Sequence, residues 1–122
     1  MIPLHEPVFI GNEKKYLNEC ISSGYVSSVG KFVSRFEKRV SKFLKVKYAN
    51  ALNSGTSSLH LALKLVGVNE GDEVIVPSIT FIAPVNAIIY LNAKPIFLDS
   101  DKFYTINKES LLNFIKNNTK TI

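Results

Sequence analysis

The stretch that decides the fold is Asn53-Ser54-Gly55-Thr56-Ser57-Ser58-Leu59-His60-Leu61, a turn of small polar residues followed by an apolar run. Residues 48–52 precede it and contain neither Gly nor Pro, which predicts a short buried strand. Residues 59–66 are densely apolar and predict a helix that packs on a sheet. The sequence therefore predicts a strand, a polar turn and a helix in direct succession.

The polar turn is rich in groups that donate hydrogen bonds. Gly55 allows close approach to the backbone, while Thr56, Ser57 and Ser58 add hydroxyls to the unpaired N–H groups of a first helical turn. Such a turn favours an anion, phosphate above all, although Ser and Thr are also ordinary helix caps. The stretch matches neither G-x-x-x-x-G-K-[ST] nor G-x-G-x-x-G, so nucleoside triphosphate and dinucleotide binding lose their main support.

Composition excludes several classes of function. The 122 residues are 46% hydrophobic and 20% charged, which is typical of one globular core. No run approaches 18 apolar residues and no basic-then-apolar start is visible, so we expect neither a membrane span nor a secretory signal, and a cytoplasmic location. The net charge of +5 comes from scattered lysines without a basic aromatic stripe, which predicts no nucleic-acid binding. His5 and His60 stand at no metal or triad spacing. The single cysteine, Cys20, cannot form an internal disulfide, and its place in a helical pattern predicts a buried or half-buried thiol rather than a nucleophile.

The remaining patterns predict an α/β fold. Residues 1–47 form an extended arm and two helices, the first capped by Asn12 and stopped by Gly24. Residues 48–122 then begin a sheet, with strands at 48–52, 73–76 and 96–98 and helices at 59–66, 84–91 and after Asn107. Apolar strands separated by helices predict a parallel sheet with crossover helices.

Four segments resemble one protein family, the DegT/DnrJ/EryC1/StrS sugar aminotransferases. They are residues 54–63, residues 71–81, Asn86-Ala87 and residues 92–99, in family order and spacing. The resemblance implies the amino-terminal part of the large domain of a fold-type I transferase that depends on pyridoxal phosphate. It covers about the first third of a usual member, and Thr119-Lys120-Thr121-Ile122 resembles the lead into a further strand, so a truncation is expected.

The resemblance also implies site residues for pyridoxal 5'-phosphate. Gly55, Thr56 and Ser57 match the phosphate site, and Phe81 matches the aromatic residue that lies against the cofactor ring. A flat apolar face there would fix the ring plane, whereas a core phenylalanine is the plain alternative. Ser27 and Ser28 are candidate substrate contacts, with a capped turn between helices as the alternative.

Two further parts of such an enzyme are not expected in this chain. The family's acidic partner of the pyridinium nitrogen and its Schiff-base lysine lie beyond the matched region, that is, beyond Ile122. We therefore expect no catalytic residue and no transamination from these 122 residues alone. No metal ligands are expected either.

The function implied by the resemblance is transfer of an amino group from glutamate to a nucleotide-linked ketosugar by a homodimer, in polysaccharide or nonulosonic acid biosynthesis. Ile2-Pro3-Leu4-His5-Glu6-Pro7, with Gly11-Asn12-Glu13 and Tyr16, resembles the subgroup acting on UDP-linked 4-keto-6-deoxy-N-acetyl sugars of legionaminic type. A sugar dehydratase of the same family, in which histidine replaces the lysine, is an alternative. A non-catalytic association fragment with exposed apolar surface is the other.

Overall fold

The computed structural model describes residues 5–117, which form five helices and two strands. The elements are α1 (Glu13–Ser23), α2 (Lys31–Leu44), α3 (Gly55–Leu65), β1 (Glu73–Pro77), α4 (Ile82–Ile89), β2 (Lys94–Leu98) and α5 (Lys108–Asn117). Two compact units divide between Ala51 and Leu52. The predicted strand lead at residues 119–122 and the first residues of the predicted arm lie outside the described residues.

Local signals set the ends of several helices. Gly24 ends α1 in the left-handed conformation, with φ 73°, which glycine adopts without strain. Asn107 caps α5 as predicted, because its side-chain oxygen accepts a hydrogen bond from the Ser110 N–H at 2.9 Å. Asn12 occupies the cap position of α1, but its side chain makes no capping bond; the Glu13 carboxylate instead accepts from the Gly11 N–H at 2.9 Å.

The sheet confirms two of the three predicted strands. β1 and β2 pair in parallel, in a register that runs from Glu73 opposite Lys94 to Pro77 opposite Leu98. The connection between them contains α4, as a parallel pair requires. The predicted class, α/β with a parallel sheet and a crossover helix, is therefore present in the described residues.

The buried core lies where α4 packs on the sheet. Val74 and Val76 of β1 are buried against Val85 and Ile88 of α4. α4 therefore shields one face of β1 at these two valines. Phe97 of β2 remains 54% exposed, in line with the exposed apolar surface that the sequence predicts.

The predicted strand at residues 48–52 is absent. These residues form no strand, and the side chain of Tyr48 is 74% exposed. The Ala51 N–H donates to the Glu37 carboxylate at 2.9 Å, so a side chain satisfies this backbone donor. A strand needs a neighbouring strand for its backbone groups, and within residues 5–117 β1 and β2 pair only with each other. An apolar run without that neighbour stays irregular.

The boundaries of two helices can be compared with the predictions. α3 covers Gly55–Leu65, so it contains the polar first turn at residues 56–58 that the sequence predicts ahead of the apolar run at residues 59–66, and Ser54 caps it. α4 covers Ile82–Ile89 rather than residues 84–91, and Pro84 lies in its first turn as predicted.

A tight turn follows β2 and is centred on Asp101. The Asp101 carboxylate accepts hydrogen bonds from the Phe103 N–H at 2.8 Å, the Thr105 N–H at 3.0 Å and the Thr105 hydroxyl at 2.9 Å. The Phe103 N–H contributes most, followed by the Thr105 hydroxyl and the Thr105 N–H, and together they hold the pKa of this carboxyl below its ordinary value. Tyr104 takes the left-handed conformation inside the turn, with φ 62°.

The Asp101 turn gives a testable pH dependence. Because the folded pKa is lowered, the ionised carboxylate stabilises the fold above the ordinary carboxyl pKa of about 3.9, and this contribution is lost as the pH falls through the lower, folded value. We expect Asp101→Asn to flatten the pH dependence of the unfolding free energy below about pH 5. Urea titrations of both chains at a series of pH values would measure this. Parallel pH profiles for both would contradict the assignment.

Candidate functional site

The first turn of α3 is held by Ser54. This residue has extended backbone angles, φ −156° and ψ 159°, and its hydroxyl accepts a hydrogen bond from the Ser57 N–H at 3.1 Å. The Ser57 hydroxyl lies 3.0 Å from the Ser54 hydroxyl, and the Ser58 hydroxyl donates to the Ser54 carbonyl at 3.0 Å. Ser54 was not among the predicted site residues, although a serine three residues before another at a helix start is a capping signal that the sequence already carries.

The donors left over in this turn belong to Gly55 and Thr56. Within residues 5–117, neither of their backbone N–H groups nor the Thr56 hydroxyl has a hydrogen-bond partner. The first turn also contains no acidic residue. Unpaired N–H groups at the positive end of a helix dipole favour a bound anion. The geometry thus brings predicted phosphate ligands together, two of them with free donors.

Gly55 has a property that neither backbone conformation nor packing explains. Its φ is not among the positive values of this chain, so a larger residue would meet no backbone strain. A Cβ placed on it would meet no atom of the described chain within 4 Å. The absent side chain therefore leaves open space beside free N–H donors, and a phosphate group needs that space to approach the backbone.

Phe81 lies at the start of α4, after the carboxyl end of β1. It occupies the cap position of the helix with φ −62° and ψ 154°, and its side chain is 87% exposed. The alternative of a core phenylalanine is therefore wrong within the described residues. Ile79 and Ile82 beside it are 55% and 65% exposed, so Phe81 belongs to an uncovered apolar surface. Its helix, α4, packs against α3.

Ser27 and Ser28 lie in the loop between α1 and α2, and both are exposed. Ser27 lines a largely apolar groove of about 660 Å³ together with Leu17, Ile21 and Val29, whereas Ser28 does not line it. Neither serine caps α2, whose cap position is Gly30 without a side-chain bond. The connection is capped at its start, where Gly24 ends α1, and neither serine contributes a cap to α2. A role for the two serines in substrate binding stays a prediction.

Other kinds of site find no support in the described residues. Between residues 5 and 117, no group of three or more His, Cys, Asp or Glu side chains is placed to hold a metal ion. In that same range, no helix is long and apolar enough to cross a bilayer.

Comparison with known proteins identifies the family. The model of the DegT/DnrJ/EryC1/StrS aminotransferase family matches residues 8–122. The chain belongs to this family. The resemblance predicted from four sequence segments is thus confirmed over nearly the whole chain.

Two relatives are identical to this chain at almost half of the aligned positions. The GDP-perosamine synthase of Vibrio cholerae is 46% identical over an alignment of 123 positions, which covers 100% of this chain and 34% of that protein. The GDP-perosamine synthase of Escherichia coli O157:H7 is 45% identical over 122 residues, 99% of this chain and 34% of that protein. The chain therefore spans about a third of the length of the curated relatives it matches.

Solved structures show the same fold. Spr1654 from Streptococcus pneumoniae, in its PMP form, superposes with a TM-score of 0.85 at 29% identity, covering 98% of this chain and 30% of that one. NtdA from Bacillus subtilis, with bound cofactor PMP, superposes with a TM-score of 0.74 at 31% identity, covering 82% of this chain and 23% of that one. The predicted fold class is confirmed by these neighbours.

Proposed function

We propose that a protein containing this chain transfers an amino group from glutamate to a keto group of a nucleotide-linked sugar, with pyridoxal phosphate as cofactor. The observation that carries the proposal is the family match over residues 8–122, supported by two GDP-perosamine synthases at 46% and 45% identity. The two solved neighbours named above are in a PMP form or hold bound PMP. Pyridoxal phosphate would supply an electron sink for the exchange of the amino group.

The residues of this chain fit the phosphate of that cofactor. A phosphate ester accepts hydrogen bonds, and the first turn of α3 offers donors at Gly55 and Thr56 beside the open space at Gly55. We assign the phosphate to Gly55, Thr56 and Ser57, whose backbone and hydroxyls would bind and orient it. Gly55 admits the ligand, and Thr56 adds a hydroxyl donor to its N–H. These roles fix the position of one end of the cofactor.

Phe81 is assigned to the ring of the cofactor. Its side chain is 87% exposed, and a flat apolar surface of that kind would exclude water from one face of a heteroaromatic ring. Ser27 and Ser28 are assigned to the sugar substrate, with the apolar groove beside Ser27 as the surface for its less polar part. The lysine and the acidic residue of the reaction would come from outside this chain.

The substrate class is proposed as a nucleotide-linked 4-keto-6-deoxy sugar. The amino-terminal segment favours a UDP-linked N-acetyl sugar, while the two named relatives are GDP-perosamine synthases. We therefore propose the same reaction for GDP- and UDP-linked sugars, and the preference between the two nucleotides is what the experiment measures. A cytoplasmic homodimer that contributes to polysaccharide or nonulosonic acid biosynthesis is the setting we propose for it.

A chimera tests this function. In the chimera, residues 1–122 replace the matched third of the Vibrio cholerae GDP-perosamine synthase, to which they are 46% identical. We expect it to form one 2-oxoglutarate for each aminated nucleotide sugar, measured by mass spectrometry with ¹⁵N-glutamate. The unsubstituted synthase is the control. A difference between the chimera and this control in their preference for GDP- or UDP-linked substrates reports what residues 1–122 contribute to nucleotide selectivity.

Two other outcomes would overturn the proposal. A chimera that folds and binds the cofactor but transfers no ¹⁵N to a nucleotide sugar would contradict the assignment of residues 1–122 to an aminotransferase. A folded chimera that binds no pyridoxal phosphate would leave only the association alternative for this segment.

A further inference from the structure

Ser54 makes contacts that exceed those of a simple cap. Its hydroxyl accepts from the Ser57 N–H at 3.1 Å and lies 3.0 Å from the Ser57 hydroxyl. Its carbonyl accepts from both the N–H and the hydroxyl of Ser58, at 3.1 Å and 3.0 Å. One residue in front of α3 therefore fixes the first turn through four contacts. The turn that it fixes is the one in which Gly55 and Thr56 hold their free donors.

The pair of hydroxyls at Ser54 and Ser57 leaves one donor. Two hydroxyls carry two protons, and the single hydrogen bond between them uses only one, whichever oxygen donates. A phosphate dianion accepts hydrogen bonds and donates none, so it would draw the remaining proton outward. The Ser54–Ser57 pair would thus present one O–H next to the N–H groups of Gly55 and Thr56.

We propose that Ser54 is a positioning residue of the phosphate site, acting through Ser57 and through the first turn of α3. The inference rests on the proposed function, because the group that it positions is the cofactor phosphate. The physical requirement at residue 54 is a neutral acceptor that caps the helix. An acidic residue would also cap the helix, but its negative charge would lie next to the phosphate and oppose its binding.

The experiment uses the chimera freed of cofactor and separates capping from binding. Hydrogen exchange of the Ser57 amide, which the Ser54 hydroxyl caps, reports the cap. An absorbance titration with pyridoxal phosphate reports the dissociation constant. We expect Ser54→Ala to speed exchange and raise the dissociation constant, each roughly three- to thirtyfold. Ser54→Asn should stay within about twofold of the chimera in both measurements, because asparagine caps as well as serine.

Ser54→Asp is the deciding variant. Aspartate caps a helix, so exchange should stay within about twofold of the chimera, whereas charge repulsion should raise the dissociation constant roughly tenfold or more. Ser41→Ala is the control for loss of a serine hydroxyl, because Ser41 lies in α2, outside this turn, and its hydroxyl donates to the Lys38 carbonyl; we expect about a twofold change at most.

The outcomes separate this inference from the proposed function. Equal cofactor affinities for Ser54→Asp and Ser54→Asn would overturn the inference, because the side chain would then lie away from the phosphate. Wild-type affinity in Ser54→Ala would overturn it too, as would an equal loss in Ser41→Ala. An unsubstituted chimera that binds no pyridoxal phosphate would overturn the proposed function, and the inference with it.

Discussion

Replacing Thr56 by alanine in the chimera is expected to raise the dissociation constant of pyridoxal phosphate roughly ten- to a hundredfold. The hydroxyl of Thr56 has no hydrogen-bond partner within residues 5–117, so it is available as a donor. A hydrogen bond from a neutral donor to a charged group contributes about 1.5 to 3 kcal/mol, which gives this range of affinities. Absorbance titration of the cofactor-free protein measures it directly.

The hydroxyl can be tested separately from the methyl group of Thr56. Thr56→Ser keeps the donor and should retain most of the affinity, whereas Thr56→Ala removes it. Wild-type affinity in Thr56→Ala would show that the turn serves α3 only as a helix start, and that the phosphate assignment is wrong.

Phe81→Ala is expected to affect the reaction rate more than cofactor binding, in contrast to Thr56→Ala. Its exposed ring is assigned to one face of the cofactor, where it would fix orientation more than affinity. Loss of that face should therefore lower kcat more than it raises the cofactor dissociation constant. The same titration and steady-state rates measure both quantities, and a larger effect on the dissociation constant would show that Phe81 acts mainly by binding.

The helices could be predicted from the sequence because local signals determine them. Gly24 and Asn107 mark their helix ends with residues whose conformation or hydrogen bonding is decided within a few positions. Local signals of this kind could not decide whether residues 48–52 form a strand. Their apolar run is compatible with a strand, but strand formation depends on a partner distant in sequence, and the Ala51 N–H bonds to Glu37 instead.

The sequence indicated where the candidate phosphate site lies, but it did not indicate the role of each residue in it. Gly55 and Thr56 were indicated by the chemistry of a glycine and hydroxyls at a helix start, and the family resemblance supplied the ligand. The role of Ser54 depends on which hydroxyl faces which amide, and spacing alone does not distinguish a cap from a ligand. The exposure of Phe81 likewise depends on what packs around α4, which an apolar pattern does not reveal.

The core beneath the site gives the second large effect, which is expected for Ile88→Ala. Ile88 is 2% exposed and packs with Val74, Val76 and Val85, where α4 covers the sheet. Removing three carbons there leaves a cavity, so the unfolding free energy of the 122-residue chain should fall by about 2 to 5 kcal/mol. Urea titration followed by far-ultraviolet circular dichroism measures the change.

Ile89→Ala is the matched control for this prediction. Ile89 is the next residue of the same helix and is 49% exposed, so both substitutions change the intrinsic helix propensity by the same amount. Ile89→Ala should cost less than about 1 kcal/mol, and the difference between the variants isolates burial in the core. Because α3 packs on α4, that burial also supports the helix whose first turn contains the donors that we propose for the phosphate. If both variants lost the same unfolding free energy, the side chain of Ile88 would not be buried against the sheet. Packing of α4 on the sheet would then not stabilise the position of α3 and of its donors at Gly55 and Thr56.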